Sequence, residues 1–397
     1  MADNPLRTFD RARDLSLDYL KATLTLMVVA HHSCLAYTRF AQVDRDDYLA
    51  STAPVVDRMR WLFFDYAENF NDVFFMSLMF FIAGLFVVPS LRRSGVSAFL
   101  GQRLLRLGVP FAAGVSILMP IAYYASWRAA GNHSRYWDFW PQFITVDGWS
   151  AGPLWFIWML LVFNGIAALL YVLLPRRVWS ATAALIPLAR HPGRAVVPMT
   201  LVCAAVYLPM LARFGFGTWS RFIVAPFSFQ TCRSLLYLIW FLAGTWIGSV
   251  DLDEGLLSRQ GSMARHWRRW LIGCLVFYNV LVFVPRSSLL MSVASEYQRG
   301  AIEAMLWVLS CVASCFGFLA LFRGAVRQRR PWMDSLARSA YAIYIVHYVF
   351  VLWTQYALLG STLPAAVKFV LTFGAAVALS WLSAQGLLRT PGIRKIL

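Results

Sequence analysis

The chain is poor in charge. Only 14% of its 397 residues are charged and 59% are hydrophobic, whereas soluble domains carry about 25% charged residues. That shortfall excludes an ordinary water-soluble globular protein. Acidic residues are the scarcer sign, 19 against 36 lysines and arginines. Cysteine is sparse too, and its six positions (Cys34, Cys203, Cys232, Cys274, Cys311 and Cys315) make no CxxC pair and no extramembrane framework. They read as small buried hydrophobes rather than a disulfide scaffold or zinc ligands. No internal repeat and no matched pair of Gly/Pro-broken spans marks a two-halved transporter.

What is present is a succession of apolar runs of roughly 18 residues or more, each long enough to cross about 30 Å of hydrocarbon. They fall at about 16–38, 70–90, 105–126, 153–174, 195–212, 231–249, 269–285, 301–322, 340–358 and 364–388. The first is no cleavable signal peptide, because it is too long, carries internal charges and lacks a small-residue cleavage site. The expectation is an all-α, polytopic integral membrane protein of about ten transmembrane helices. It forms one domain over 1–397, with no additional soluble domain.

The net charge of +17 is distributed by topology. With ten spans and an inner N-terminus, 23 of the 36 basic residues fall on the inner side. Arg7, Arg11 and Arg13, then Arg92, Arg93, Arg103 and Arg106, then Arg323, Arg327, Arg329 and Arg330 are among them. The positive-inside rule accounts for this pattern and places both termini in the cytoplasm, so nucleic-acid binding is not required. The longest outer loop, 39–69, is acidic and contains "DRDD"; the next, 127–152, is crowded with aromatics, Trp137, Trp140 and Trp149 among them.

The first run, "LDYLKATLTLMVVAHHSCLAY", carries Asp18, Lys21, His31 and His32. A helix turns 100° and rises 1.5 Å per residue, so Lys21 and His32 lie within about 20° of one line and roughly 16 Å apart along it. Asp14, Asp18 and Thr25 project within about 40° of that line. His31 points about 100° away, which argues against a shared role for the two histidines. Ionisable groups at this depth cost a few kcal/mol and face a protein interior or a wet cavity. Two readings stand for each: His32 lines a site or makes a helix–helix hydrogen bond, and Lys21 lines a path or snorkels to the inner surface. Adjacent helical histidines are a poor chelate, so no metal is expected.

"LDYLK" followed by ten residues and His32 resembles the opening motif of the acyltransferase-3 membrane proteins. Lys21 stands where the family has arginine, which keeps the charge and loses the planar fork. "FFIAGLFVVPSLRRSGVSAFLGQRLLRLGVP" (80–110), "GPLWFIWMLL" (152–161) and "RSAYAIYIVHYVF" (338–350) resemble later motifs of the same family, in order, with Ala83 at a serine position. Size and span number are most similar to the glucan-modifying, succinyltransferase-like branch.

The resemblance implies O-acyl transfer from a cytoplasmic acyl-CoA co-substrate, with no bound cofactor. The acceptor is then a hydroxyl on the outer side, a saccharide for example, and the enzyme is a multi-pass protein of a bacterial-type inner membrane. On that implication His32 is the general base, with Asp72 or Glu68 to orient it, although Asp72 also fits a solvated helix start. Asp18 pairs with Lys21 rather than reaching His32. Lys21, Arg92, Arg93, Arg103 and Arg106 handle the donor phosphates, unless the arginines serve topology alone. Trp155, Tyr344 and His347 belong to the acceptor cavity, or else to an aromatic belt and a packed histidine. The competing expectation is a transporter or flippase for an acidic metabolite or lipid-linked sugar.

Overall fold

The computed structural model describes residues 14–49, 51–179, 185–221 and 225–397; Arg7, Arg11 and Arg13 lie outside the described residues. All ten apolar runs are helical. They are α1 (Leu15–Leu35), α2 (Leu62–Ser94), α3 (Val96–Ala129), α4 (Gly152–Leu173) and α5 (Gly193–Phe214), then α6 (Thr231–Ile247), α7 (Trp267–Phe283), α8 (Glu296–Ala325), α9 (Pro331–Leu358) and α10 (Ala365–Arg389). Seven of them, α2 to α5 and α8 to α10, are long and apolar enough to cross a membrane. In α1 the charges and histidines dilute the apolar run, and α6 and α7 are shorter. The chain is an all-α, polytopic membrane protein.

Two elements differ from the sequence expectation. The second run was expected at 70–90 and begins at Leu62, because Asp65, Glu68, Asn69 and Asp72 interrupt the apolar pattern without interrupting the helix. The aromatic loop 127–152 folds a short helix, Tyr136–Thr145, whose Phe139 and Phe143 are fully buried. A two-stranded hairpin, β1 (Trp219–Arg221) and β2 (Ser228–Gln230), pairs antiparallel with Trp219 opposite Gln230. It lies between α5 and α6.

Helix α1 is enclosed by α2, α8, α9 and α10, which is how a polar stripe survives at membrane depth. Its N-terminal end is anchored by charge. Asp14 caps α1, accepting from the backbone amides of Ser16 at 3.0 Å and Leu17 at 3.2 Å. The same carboxylate pairs with Arg323 of α8, which is fully buried, and with Arg259 at 3.2 Å. Arg323 also reaches Asp253 at 2.9 Å. Burial alone would raise the Asp14 carboxyl, but Arg323 and the hydrogen bond from Ser16 outweigh it and hold the group below the ordinary carboxylate range.

Helices α2 and α6 meet backbone to backbone. A Cβ at Gly244 would lie 2.0 Å from the Phe81 carbonyl oxygen, and one at Gly248 2.0 Å from that of Leu85. This is the small-xxx-small device that lets membrane helices approach closely. In α3, π-helical turns at Leu104–Gly108 and Gly114–Leu118 run up to Pro110 and Pro120. Proline lacks an amide donor and crowds the carbonyl four residues back, so the backbone widens there.

Gly244→Val is expected to force α2 and α6 apart and lower the thermal unfolding midpoint in detergent, whereas Gly273→Ala, where a Cβ meets nothing within 4 Å, is expected to be neutral. A depressed carboxyl contributes stability that is complete above its unfolded pKa of about 3.9 and is lost as pH falls through the folded value. Asp14→Asn should therefore remove that contribution at neutral pH, at a cost of about 3 kcal/mol for stranding part of a buried arginine's partners, read as a lower urea midpoint near neutrality.

Candidate active site

The histidine pair lies in the C-terminal half of α1 and lines a cavity of about 620 Å³. The cavity is bordered by inter-helix segments: Tyr48, Leu49, Ser51 and Thr52, then Asp147 to Ser150, and Trp219, Ser228 and Gln230 of the β1–β2 hairpin. Tyr48 donates to the Asp147 carboxylate at 2.8 Å, joining two loops of that rim. Burial and this bond to Asp147 push the Tyr48 phenol well above its usual pKa, so it remains a donor. Deeper down, Val28, Phe75, Met76, Tyr237 and Tyr344 form the lining.

His32 is half-buried on this wall. Its ring lies 5.1 Å from that of Tyr348, edge on, and 5.4 Å from that of His347. Gln355 of α9 donates to the backbone carbonyls of His32 at 2.9 Å and Ser33 at 3.2 Å, fixing this turn of α1 against α9. His347 is fully buried behind the lining. Its Nδ1 lies 2.7 Å from the Tyr344 carbonyl, which only accepts, so Nδ1 carries the proton and the neutral ring keeps its lone pair on Nε2. That Nε2 is buried with no hydrogen-bond partner. Tyr344 lines the cavity and donates to the Pro153 carbonyl at the head of α4.

His31 also lines the cavity. The 100° offset from His32 does not separate them, because the cavity is wide enough to wrap this face of α1. Glu68 stands 3.7 Å from His31 Nε2 rather than beside His32. Asp72, one turn along α2, is gripped by the guanidinium of Arg233 in a two-pronged pair at 2.8 and 2.5 Å. Arg233 is 1% exposed and lies between the rings of Phe216 and Trp307, 4.5 and 4.9 Å from their centroids. Trp155 lines the cavity and stacks on Tyr237 at 5.6 Å, with Trp219 set edge-on at 5.9 Å.

The expected donor-handling residues sit apart from this cavity. Lys21 contacts Asp18 at 3.4 Å, as its spacing predicts, and lies 4.3 Å over the Phe86 ring. Arg92 donates to the carbonyls of Ser249 at 2.8 Å and Trp179 at 2.5 Å. Arg103 lies 5.0 Å over Phe99, Arg106 is 3.4 Å from the Leu397 carbonyl, and Arg93 is exposed. Between Lys21 and the cavity floor, Leu24 and Val28 of α1 are almost wholly buried.

The ordered stripe, enclosed helix and histidine-lined cavity agree with a match that spans nearly the whole chain. Residues 14–385 fit a family model described as an acyltransferase domain. The chain belongs to the acyltransferase-3 family. It is therefore a membrane acyltransferase, working with an acyl donor and a hydroxyl acceptor in a lipid bilayer. No curated protein and no solved structure matches it. Within this acyltransferase, Arg233, Tyr348 and the pairing of His31 with Glu68 escape a reading of the sequence. Arg233 left one signal: it is a charge within the apolar run 231–249, where an unpaired guanidinium is costly.

Removing the Asp72 charge strands a buried guanidinium. Asp72→Asn is expected to cost about 3 kcal/mol in a denaturant titration of the purified acyltransferase, and Asp72→Asn combined with Arg233→Met to recover most of that loss.

Proposed function

We propose that the enzyme moves an acyl group from a cytoplasmic acyl-CoA to a hydroxyl of an extracytoplasmic carbohydrate, in a bacterial inner membrane. The observation that carries this reading is His32, a half-buried imidazole at membrane depth on the wall of a cavity bordered by loops that the sequence expectation places outside. An acceptor entering from outside meets Trp155 and the exposed Trp219, whose indole rings suit a sugar. Its hydroxyl proton passes to His32 as the oxygen attacks the thioester carbonyl. The tetrahedral intermediate collapses with loss of the CoA thiolate, which takes up a proton as the ester forms. Such general-base assistance is worth about 10²–10⁴-fold in rate.

The donor enters from the other side. CoA carries phosphates that do not cross hydrocarbon, so they stay at the inner surface with Arg93, Arg103 and Arg106, while the thin pantetheine arm reaches toward His32. Arg92 contributes less, since its guanidinium already holds two carbonyls. From Lys21 to the floor at Val28 is seven residues, about 10 Å along the helix, and that stretch is closed by packed side chains. Donor binding therefore parts α1 from α2 over this distance. The acyl group itself is proposed to be succinyl or a similar small acid, following the glucan-modifying branch that the chain resembles in size and span number.

Membranes carrying His32→Ala are expected to keep the protein and lose acyl transfer by 10²–10⁴-fold across a panel of CoA thioesters. Activity near wild type would remove His32 as the base. Lys21→Arg should be tolerated and Lys21→Ala should raise the KM for the CoA thioester; the opposite pattern would take Lys21 out of donor handling.

A further inference from the structure

All the charged residues among the described lining of the cavity are acidic: Asp47, Glu68, Asp72 and Asp147. Three of these already have partners, Asp47 among them, which accepts from the Leu49 amide at 3.2 Å. Asp147 accepts from Tyr48 and from the Gln142 amide at 3.1 Å, and Asp72 is neutralised by Arg233. Glu68 is different. It shares a helix face with Asp72, one turn away, so a single guanidinium serves a corner that holds two carboxylates. The nearest basic group to Glu68 is His31 Nε2 at 3.7 Å, beyond good hydrogen-bond distance. His31 is 8% exposed, and its Nδ1 is buried without a hydrogen-bond partner. Phe75 and Trp219 line the same cavity, and their ring faces are negative.

We infer that the acceptor is a cation: a hydroxyl compound that also bears an ammonium group, of the amino-sugar class. The ammonium gives Glu68 the partner that Arg233, committed to Asp72, does not supply, beside aromatic rings that favour a cation. The acylated hydroxyl then faces His32, whose ring is 5.1 Å from that of His31. An anionic acceptor finds no lysine or arginine among the described lining residues. The identity of the reacting hydroxyl rests on the acyl-transfer reading; the charge preference of the cavity does not.

The test is equilibrium binding of three probes to the detergent-purified full chain without any donor: methyl glucosaminide, methyl glucoside and methyl glucuronide, in buffer that keeps the amine protonated. The glucosaminide is expected to bind about tenfold more tightly than the glucoside, the scale of one ion pair reinforced by cation–π contact, with the glucuronide weakest. Glu68→Gln should bring the glucosaminide-to-glucoside ratio close to one, while Glu68→Asp keeps it. Equal binding of the three, a reversed order, or a preference that survives Glu68→Gln overturns the inference. Because no thioester is present, failed acyl transfer in a separate assay with acyl-CoA leaves this binding order unchanged, and the two readings fail separately.

Discussion

Arg323 is the fixed point from which the site is built. Fully buried near the C-terminal end of α8, it has no water to satisfy it, so its guanidinium takes Asp14 and Asp253 as counter-charges. Asp14 is at the same time the cap of α1, so the ion pair sets where that helix starts. Once its first turn is pinned, the helical rise fixes the depth of everything above it. His31 and His32 are thereby carried to the level of Glu68 and Tyr348. A buried pair of this kind is weak evidence for stability but strong evidence for register.

A second constraint operates at the opposite end of the bundle. Arg233 enters from the head of α6 and takes Asp72 of α2 in a closed, two-pronged pair between aromatic rings. The glycine contacts of α2 with α6 allow these helices to come close enough for that reach. Between the two charge anchors lies the cavity, with imidazoles on one wall and stacked aromatics on the other. The polar groups are placed by helices rather than by loops, which suits groups that have to meet a reacting hydroxyl within tenths of an ångström.

The architecture was largely legible in the sequence, because a bilayer allows few alternatives: apolar runs of the right length become helices. The stripe of Asp14, Lys21 and His32 was legible for the same reason, since helical geometry fixes which residues share a face. The start of α2 was not, because Asp65, Glu68 and Asp72 break the apolar pattern while facing protein. Partnerships across helices were not legible either. Placing Glu68 by His31 and Asp72 on Arg233 depends on how α1, α2 and α6 are rotated about their own axes, which hydropathy does not encode. The inner arginines show the converse limit, as charge on the right side says nothing of what a guanidinium touches, and Arg92 spends its donors on loop carbonyls.

The packed floor below the cavity has a consequence for the cell. A tunnel joining the two sides of an energised membrane would let protons leak through and dissipate the gradient. Leu24 and Val28, almost wholly buried between Lys21 and the histidines, stand in the way of such a tunnel. On the proposed reading, the arm that wedges these side chains apart also fills the gap it opens, so the enzyme is insulated by its own co-substrate throughout turnover.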